Sequence, residues 1–248
     1  MPALAFQDVT KRFGDTAAVD GVSAEIASGR FVALVGTSGS GKSTLLKTVN
    51  RLVVPDGGRV LIDGTDVNAG PAPALRRQVG YVFQGIGLFP HMTVAENIAI
   101  GLRIAGLPEG YRVAELLDLV ELPRAHAARM PAELSGGQRQ RVGIARALAP
   151  GAKLLLLDEA FGALDPVTRD VLGQAIRRLH DELALTTVLV THDMAEALLL
   201  ADRVLVMAAG RLVADATPAE LVAGGGGEAA QALVAVPRAQ AERLRVLA

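Results

Sequence analysis

Residues 36–44 read Gly-Thr-Ser-Gly-Ser-Gly-Lys-Ser-Thr, the pattern G-x-x-x-x-G-K-[ST]. The apolar run Phe31 to Val35 leads into it and a helical pattern follows. Strand, glycine turn and helix start leave few folds open to the chain. Gly36, Gly39 and Gly41 carry no side chain and accept positive φ, so the backbone can wrap closely around a phosphate. The loop N–H groups of Thr37, Ser38 and Ser40 then point inward. The helix beginning near Lys42 adds the positive end of its dipole. Lys42 can reach β- and γ-phosphates, Ser43 offers a hydroxyl to Mg²⁺, and Thr44 can bond an α-phosphate. The expected ligand is therefore a nucleotide, bound with Mg²⁺.

The rest of the chain suits an α/β sheet protein. Val19 to Ile26, Val60 to Ile62 and Val79 to Phe83 read as strands in the first third. Leu154 to Leu157, Val188 to Val190 and Val204 to Met207 are continuous apolar runs, as expected of parallel strands covered on both faces. From Thr93 to about Leu119 the period turns helical, broken at Gly106 to Gly110. This reads as a helical piece, about residues 87–135, set into a sheet domain that runs over residues 1–223. Asp165-Pro166 opens an amphipathic helix as N-cap and first helical position. Gly224 to Gly227 reads as a flexible joint before a short helical tail ending at Ala248.

Composition removes several alternatives. Half of the 248 residues are hydrophobic and 21% are charged, so the chain is not disordered. Lys+Arg total 25 against 26 for Asp+Glu, so bulk charge does not hold it to nucleic acid, and no nucleic-acid partner is expected. There is no cysteine, which excludes disulfides, thiol catalysis and cysteine-built zinc sites. No secretory pattern opens the chain and no uncharged apolar run reaches the length of a membrane helix. Any membrane role is expected to come through a partner.

Two further segments carry chemistry. Leu154-Leu155-Leu156-Leu157-Asp158-Glu159 puts two carboxylates at the carboxyl end of a buried strand, where open α/β sheets bind ligands. Asp158 is placed to hold Mg²⁺, and Glu159 to polarise an attacking water; a solvated strand end is the competing reading. Leu134-Ser135-Gly136-Gly137-Gln138 precedes the helical pattern Arg139 to Ala149. Ser135, Gly136 and Gly137 would form a second anion site at a helix N-terminus, or a plain helix cap. One chain with one phosphate loop has little use for a second phosphate site; two facing chains do.

The phosphate loop, the Leu134–Gln138 run and Leu-Leu-Asp-Glu followed by a lone His together resemble the ATP-binding cassette (ABC) ATPases, over roughly residues 4–223. The resemblance implies a P-loop NTPase of the ABC ATPase type, with ATP and Mg²⁺ as its ligands. Its expected parts are a mostly parallel core sheet, an N-terminal antiparallel β part and an inserted helical subdomain. It also implies that two copies stack head to tail, the Ser135–Gln138 tip of one closing on the γ-phosphate held by the other. By match of motif, Gln84 resembles the glutamine that touches Mg²⁺ and the attacking water. His192 resembles the switch histidine on the γ-phosphate. Ala163-Leu164-Asp165 resembles the loop that lines the dimer contact. Phe13 stands where the family usually has an adenine-stacking aromatic, often Tyr; a core Phe is the competing reading.

The resemblance narrows further to importers. Ile86, Leu88, Phe89 and Met92 form either a docking face for a permease helix or a patch of core, and the sequence leaves both open. Gln-Gly-Ile-Gly-Leu-Phe-Pro-His-Met-Thr-Val from Gln84, Glu-Ala-Phe-Gly-Ala-Leu-Asp-Pro at 159–166 and Thr-His-Asp-Met-Ala-Glu-Ala at 191–197 are similar to cassettes of osmoprotectant importers, which take up glycine betaine, choline or carnitine. Expected partners are then a second copy of the chain, a transmembrane permease and, indirectly, a solute-binding protein, at the cytoplasmic face of the inner membrane. Many members carry extra regulatory domains after the cassette; with the tail ending at Ala248, none is expected here. Importers of amino acids, polyamines or phosphate share much of the pattern. Non-transport cassettes acting on DNA or ribosomes are the more distant alternative.

Overall fold

The computed structural model describes residues 3–162 and 164–246. Ala163, the first residue of the segment expected at a dimer contact, lies outside them, as do the last two residues of the tail. Two strands, β1 (Leu4–Phe13) and β2 (Thr16–Ile26), open the chain as an antiparallel pair. Strand β3 (Phe31–Val35) leads into helix α1 (Lys42–Val49). Next come β4 (Gly57–Ile62), β5 (Thr65–Asp66), α2 (Ala72–Gln78) and β6 (Val79–Val82). Helices α3 (Val94–Ala105) and α4 (Gly110–Leu119) follow, then two short 3₁₀ turns and α5 (Gly136–Leu148). The chain re-enters the sheet at β7 (Leu154–Asp158), followed by α6 (Pro166–Leu183), β8 (Thr186–Thr191), α7 (Met194–Leu200), β9 (Arg203–Ala208) and β10 (Arg211–Ala216). Helices α8 (Pro218–Val222) and α9 (Gly227–Val246) end it.

The strands form two sheets. One has the order β2-β1-β4-β5 and is antiparallel. The other has the order β10-β9-β3-β8-β7-β6, parallel except for the β9–β10 hairpin. This is the α/β cassette architecture expected above. Strand alternation divides the core. Val32 and Leu34 of β3 join Leu45, Leu46 and Val49 of α1 and Leu4, Phe6 and Val22 of the antiparallel sheet. Phe31, Ala33 and Val35 face the other way, into a second core cluster that also holds Leu102, Val142, Leu172 and Ile176 of the helices. Helix α1 is thus wedged between the sheets, with its N-terminus at the carboxyl end of β3. Each of its three buried aliphatic side chains contributes about 1.5–3 kcal/mol by leaving water, which fixes the loop before it.

Several local outcomes depart from what the sequence predicts. The expected strand from Val19 starts at Thr16, because its antiparallel pairing with β1 begins at the tight turn Gly14–Asp15. Strand β10 is missing from the reading because only every second residue is partly covered, as in an edge strand. The glycine run was expected to be a loose joint, yet it forms a bonded turn. The Gly224 N–H donates to the Leu221 carbonyl at 3.1 Å and the Gly225 N–H to the Glu220 carbonyl at 2.8 Å. Gly226 has φ 82° and lies so close to Leu221 and Ala230 that a Cβ there would come within 2.6 Å and 3.0 Å of them. Glycine here permits a tight reversal that brings Ala230 and Val234 of α9 into the core. No helix among the described residues is long and apolar enough to cross a membrane.

Candidate functional site

The phosphate loop joins β3 to α1 between the ends of β2 and β9. At Gly41, with φ 98°, a Cβ would sit 2.0 Å from the Ala18 carbonyl oxygen. Only glycine fits both that conformation and that contact. Helix α1 has no side-chain cap, so its first N–H groups have no side-chain acceptor and can serve an anion. Lys42 folds back over the loop. Its ammonium donates to the Gly36 and Thr37 carbonyls, both at 2.8 Å, and to Ser40 Oγ at 3.2 Å. Burial pushes its pKa below the ordinary lysine value, and the nearby Glu159 and Asp158 carboxylates oppose that shift. A phosphate group would reinforce the charged form.

Next to Lys42, Ser43 donates its hydroxyl to Asp158 Oδ1 at 2.7 Å. Asp158 is 2% exposed, so it is not a solvated strand end. Its other oxygen accepts the Tyr81 hydroxyl at 2.7 Å and lies 3.5 Å from the Lys47 ammonium. The Tyr81 pKa is pushed up by burial and by its bond to the Asp158 carboxylate, so the phenol stays a donor. No group of three or more His, Asp or Glu side chains that could hold a metal occurs among the described residues. One carboxylate and one hydroxyl, both hard oxygen donors, suit Mg²⁺, which is usually held by one or two carboxylates together with phosphates and water. Ser43 and Asp158 fit that pattern.

Glu159 follows at the end of β7 with φ 48°, a left-handed conformation that costs a non-glycine residue about 1–3 kcal/mol. Its N–H donates to the Val190 carbonyl at 3.0 Å, tying the turn to β8. The turn aims the carboxylate between two neighbours. Gln84 Nε2 donates to Glu159 Oε2 at 3.1 Å, and His192 Nδ1 stands 3.6 Å from the same oxygen. Three side chains from the ends of β6, β7 and β8 thus meet at one oxygen. The His192 side chain is 60% exposed, which removes a core role. Phe13, 55% exposed at the end of β1, is likewise not core; the Lys11 ammonium lies 5.5 Å from its ring centre.

The second glycine-bearing helix tip is built differently. Ser135 caps α5: its Oγ accepts the Gln138 N–H at 3.2 Å, while Gln138 Oε1 accepts the Ser135 N–H at 3.0 Å. The tip is thus a helix cap, in the form of a capping box. A Cβ on Gly137 would fall 2.4 Å from Thr168 Cγ2, and one on Gly136 would fall 3.3 Å from Leu164 Cδ2. Asp165 caps α6, its Oδ1 accepting the Thr168 N–H at 3.0 Å. The structure brings Lys42, Ser43, Gln84, Asp158, Glu159 and His192 together, and places the Ser135–Gln138 tip beside the start of α6.

Several groups around this site escape a sequence reading. Tyr81 sits inside an apolar strand and reads as core; only the need of a half-buried hydroxyl for a partner hints otherwise. Arg146 donates to the Ile86 and Gly87 carbonyls, both at 2.7 Å. Asn97, fully buried, donates to the Phe89, Met92 and Thr93 carbonyls and accepts the Phe89 N–H. Together they pin the segment after Gln84. Leu88 packs on the core, while Phe89 stays 39% exposed. Behind His192, the Thr191 hydroxyl donates to Glu196 Oε2 at 2.6 Å, and Arg169 reaches the Leu164 carbonyl.

Residues 19–162 match the family model described as ABC transporter. The chain belongs to the ABC transporter family. Over 223 residues it is 45% identical to the choline transport ATP-binding protein OpuBA of Bacillus subtilis, covering 88% of this chain and 58% of that protein. Over 221 residues it is 50% identical to the sulfate/thiosulfate import ATP-binding protein CysA of Thermosynechococcus vestitus, covering 88% and 65%. The chain thus spans roughly three-fifths of the length of these curated relatives. Among solved structures it resembles the ATP-binding cassette MJ0796, a dimer in a post-hydrolysis state with ADP and Pi. There the TM-score is 0.76 at 33% identity, covering 87% of this chain and 98% of that one. It also resembles cbiO1 of Clostridium perfringens, part of the ABC transporter complex cbiONQ. That match has a TM-score of 0.81 at 31% identity, covering 89% and 90%.

Proposed function

We propose that this ABC cassette is the ATP-hydrolysing subunit of an importer, driving uptake of a small solute through a separate permease. The observation that carries the reading is the meeting of Gln84 and His192 at the Glu159 carboxylate, beside the Lys42–Ser43–Asp158 group. In this reading the loop N–H groups and Lys42 bind the ATP phosphates, and Phe13 stacks on adenine. Ser43, Asp158 and Gln84 hold Mg²⁺, which would supply charge neutralisation on the phosphates. Glu159 takes the proton of the attacking water, Gln84 orients that water, and His192 donates to the γ-phosphate. Ser135, Gly136, Gly137 and Gln138 of a second copy close the site from outside, and Asp165 lies along that contact. The cassette works at the cytoplasmic face of the membrane, held there by its permease and served by a solute-binding protein. The sheet domain over residues 1–223 and its insert do the chemical work.

The solute class is proposed from relatives. Resemblance to OpuBA and to the carnitine transport protein OpuCA of Listeria monocytogenes, at 45% and 46% identity, supports quaternary amines. The 50% identity to CysA supports sulfate as a second reading. Stimulation of ATPase activity in the assembled transporter, by choline or glycine betaine against sulfate, separates them. The hydrolytic assignment is tested by Glu159→Gln. It should lower kcat by about a hundred- to ten-thousandfold, keep ATP binding and trap an ATP-bound dimer. Unchanged turnover would remove Glu159 as the base.

A further inference from the structure

We propose that Tyr81 is a positioning residue for the metal-binding carboxylate, and that it ties that carboxylate to the strand that carries Gln84. The inference rests on the ATPase reading above. Asp158 has two oxygens with separate duties. Oδ1 faces Ser43, the other hard donor of the site, at 2.7 Å. Oδ2 receives the Tyr81 hydroxyl, also at 2.7 Å. With Oδ2 fixed, the carboxylate, itself buried, cannot rotate about its χ2 axis without breaking a hydrogen bond that no solvent is placed to replace. Oδ1 is thereby held toward Ser43 and the phosphate loop.

The donor comes from a telling place. Strand β6 is the edge of the parallel sheet and pairs with β7 in register, Tyr81 opposite Leu156 and Val82 opposite Leu157. From this one strand and its end, Tyr81 bonds Asp158 while Gln84 bonds Glu159. Two successive carboxylates, at the last residue of β7 and the one after it, are thus gripped by two groups three residues apart, on β6 and just beyond its end. The Tyr81 ring is held in turn by Phe83, with ring centres 4.6 Å apart. Lys47 is the other group at Asp158 Oδ2, but its ammonium stands farther off at 3.5 Å, on a side chain 37% exposed. The phenol is the closer and more directional partner.

Hydrogen-bond partners of metal ligands typically set metal affinity by about ten- to a hundredfold. Tyr81→Phe removes one oxygen and keeps the ring. The test uses the Glu159→Gln background, where hydrolysis does not intrude, and follows binding of a fluorescent ATP analogue as Mg²⁺ is titrated. The Tyr81→Phe variant should need about tenfold more Mg²⁺ for half-saturation, with affinity in EDTA unchanged. Lys47→Met, which leaves the phenol in place, should not raise the Mg²⁺ requirement. An unshifted half-saturation in Tyr81→Phe overturns the proposal. So does an equal loss with and without Mg²⁺, which would mark general damage, and so does an equal rise in Lys47→Met, which would assign the effect to charge. If the Glu159→Gln parent shows no Mg²⁺-dependent binding, the ATPase reading fails instead.

Discussion

Two helix tips in this molecule begin with glycine and a hydroxyl residue, and they are opposite constructions. Before α1, the glycines answer a backbone demand: Gly39 and Gly41 have φ 78° and 98°, and no side chain caps the helix. At the start of α5, Gly136 and Gly137 are not among the positive-φ residues; they are small because Leu164 and Thr168 lie against them. That helix is already capped by Ser135 and Gln138. The first tip, proposed above as the phosphate cradle, is complete within a single chain, its lysine already lying across it. The second has its inner donor satisfied and presents an exposed serine and a half-buried glycine outward. Such a tip can complete a site on another molecule but does not form one alone, which agrees with a facing second copy.

The contrast can be broken by substitution. Gly41→Ala should do most harm, because it combines a strained φ with a backbone contact that cannot yield. A loss of about 3 kcal/mol in unfolding free energy is expected, with nucleotide binding lost; denaturant melts and binding titrations check both. Gly137→Ala should cost about 1–2 kcal/mol by overpacking against Thr168, partly offset by the better helix propensity of Ala. Thr168→Ser removes the crowding methyl and should restore stability in the double variant. No rescue would mean that Gly137 serves the backbone, as Gly41 does. Ser135→Ala should be mildest for the fold, about 1 kcal/mol from the lost cap. ATP binding to the monomer should persist, while ATP-driven dimerisation, read by light scattering in the Glu159→Gln background, should fall. Equal monomer and dimer effects would erase the distinction between the tips.

Much of this was legible from residue order. The apolar runs 154–157, 188–190 and 204–207 became the cores of β7, β8 and β9, which extend beyond them to Leu154–Asp158, Thr186–Thr191 and Arg203–Ala208. Asp165-Pro166 opens α6 as its N-cap and first residue. These features are local: a buried parallel strand and a capped helix each leave a signature within a few residues. Helices α2 and α7 were not foreseen. Each has only seven residues, too short to establish a period, and each is held by its neighbours in the fold.

By itself the sequence determined the glycine loop between β3 and α1, proposed here as the phosphate cradle, because its glycines, lysine and hydroxyl stand at fixed spacing in one local segment. It also determined which strands are buried, because burial on both faces demands unbroken apolar runs. Only the tertiary structure decided that Gln84, Glu159 and His192 share one oxygen, that Tyr81 is a partner of Asp158 and not a core ring, and that Gly224–Gly227 is a turn. Those outcomes depend on which strand ends lie side by side in the order β6-β7-β8 and on how closely α9 is drawn back onto the core. Contacts between residues far apart in the chain are set by packing, and the local pattern of residue types carries no record of them.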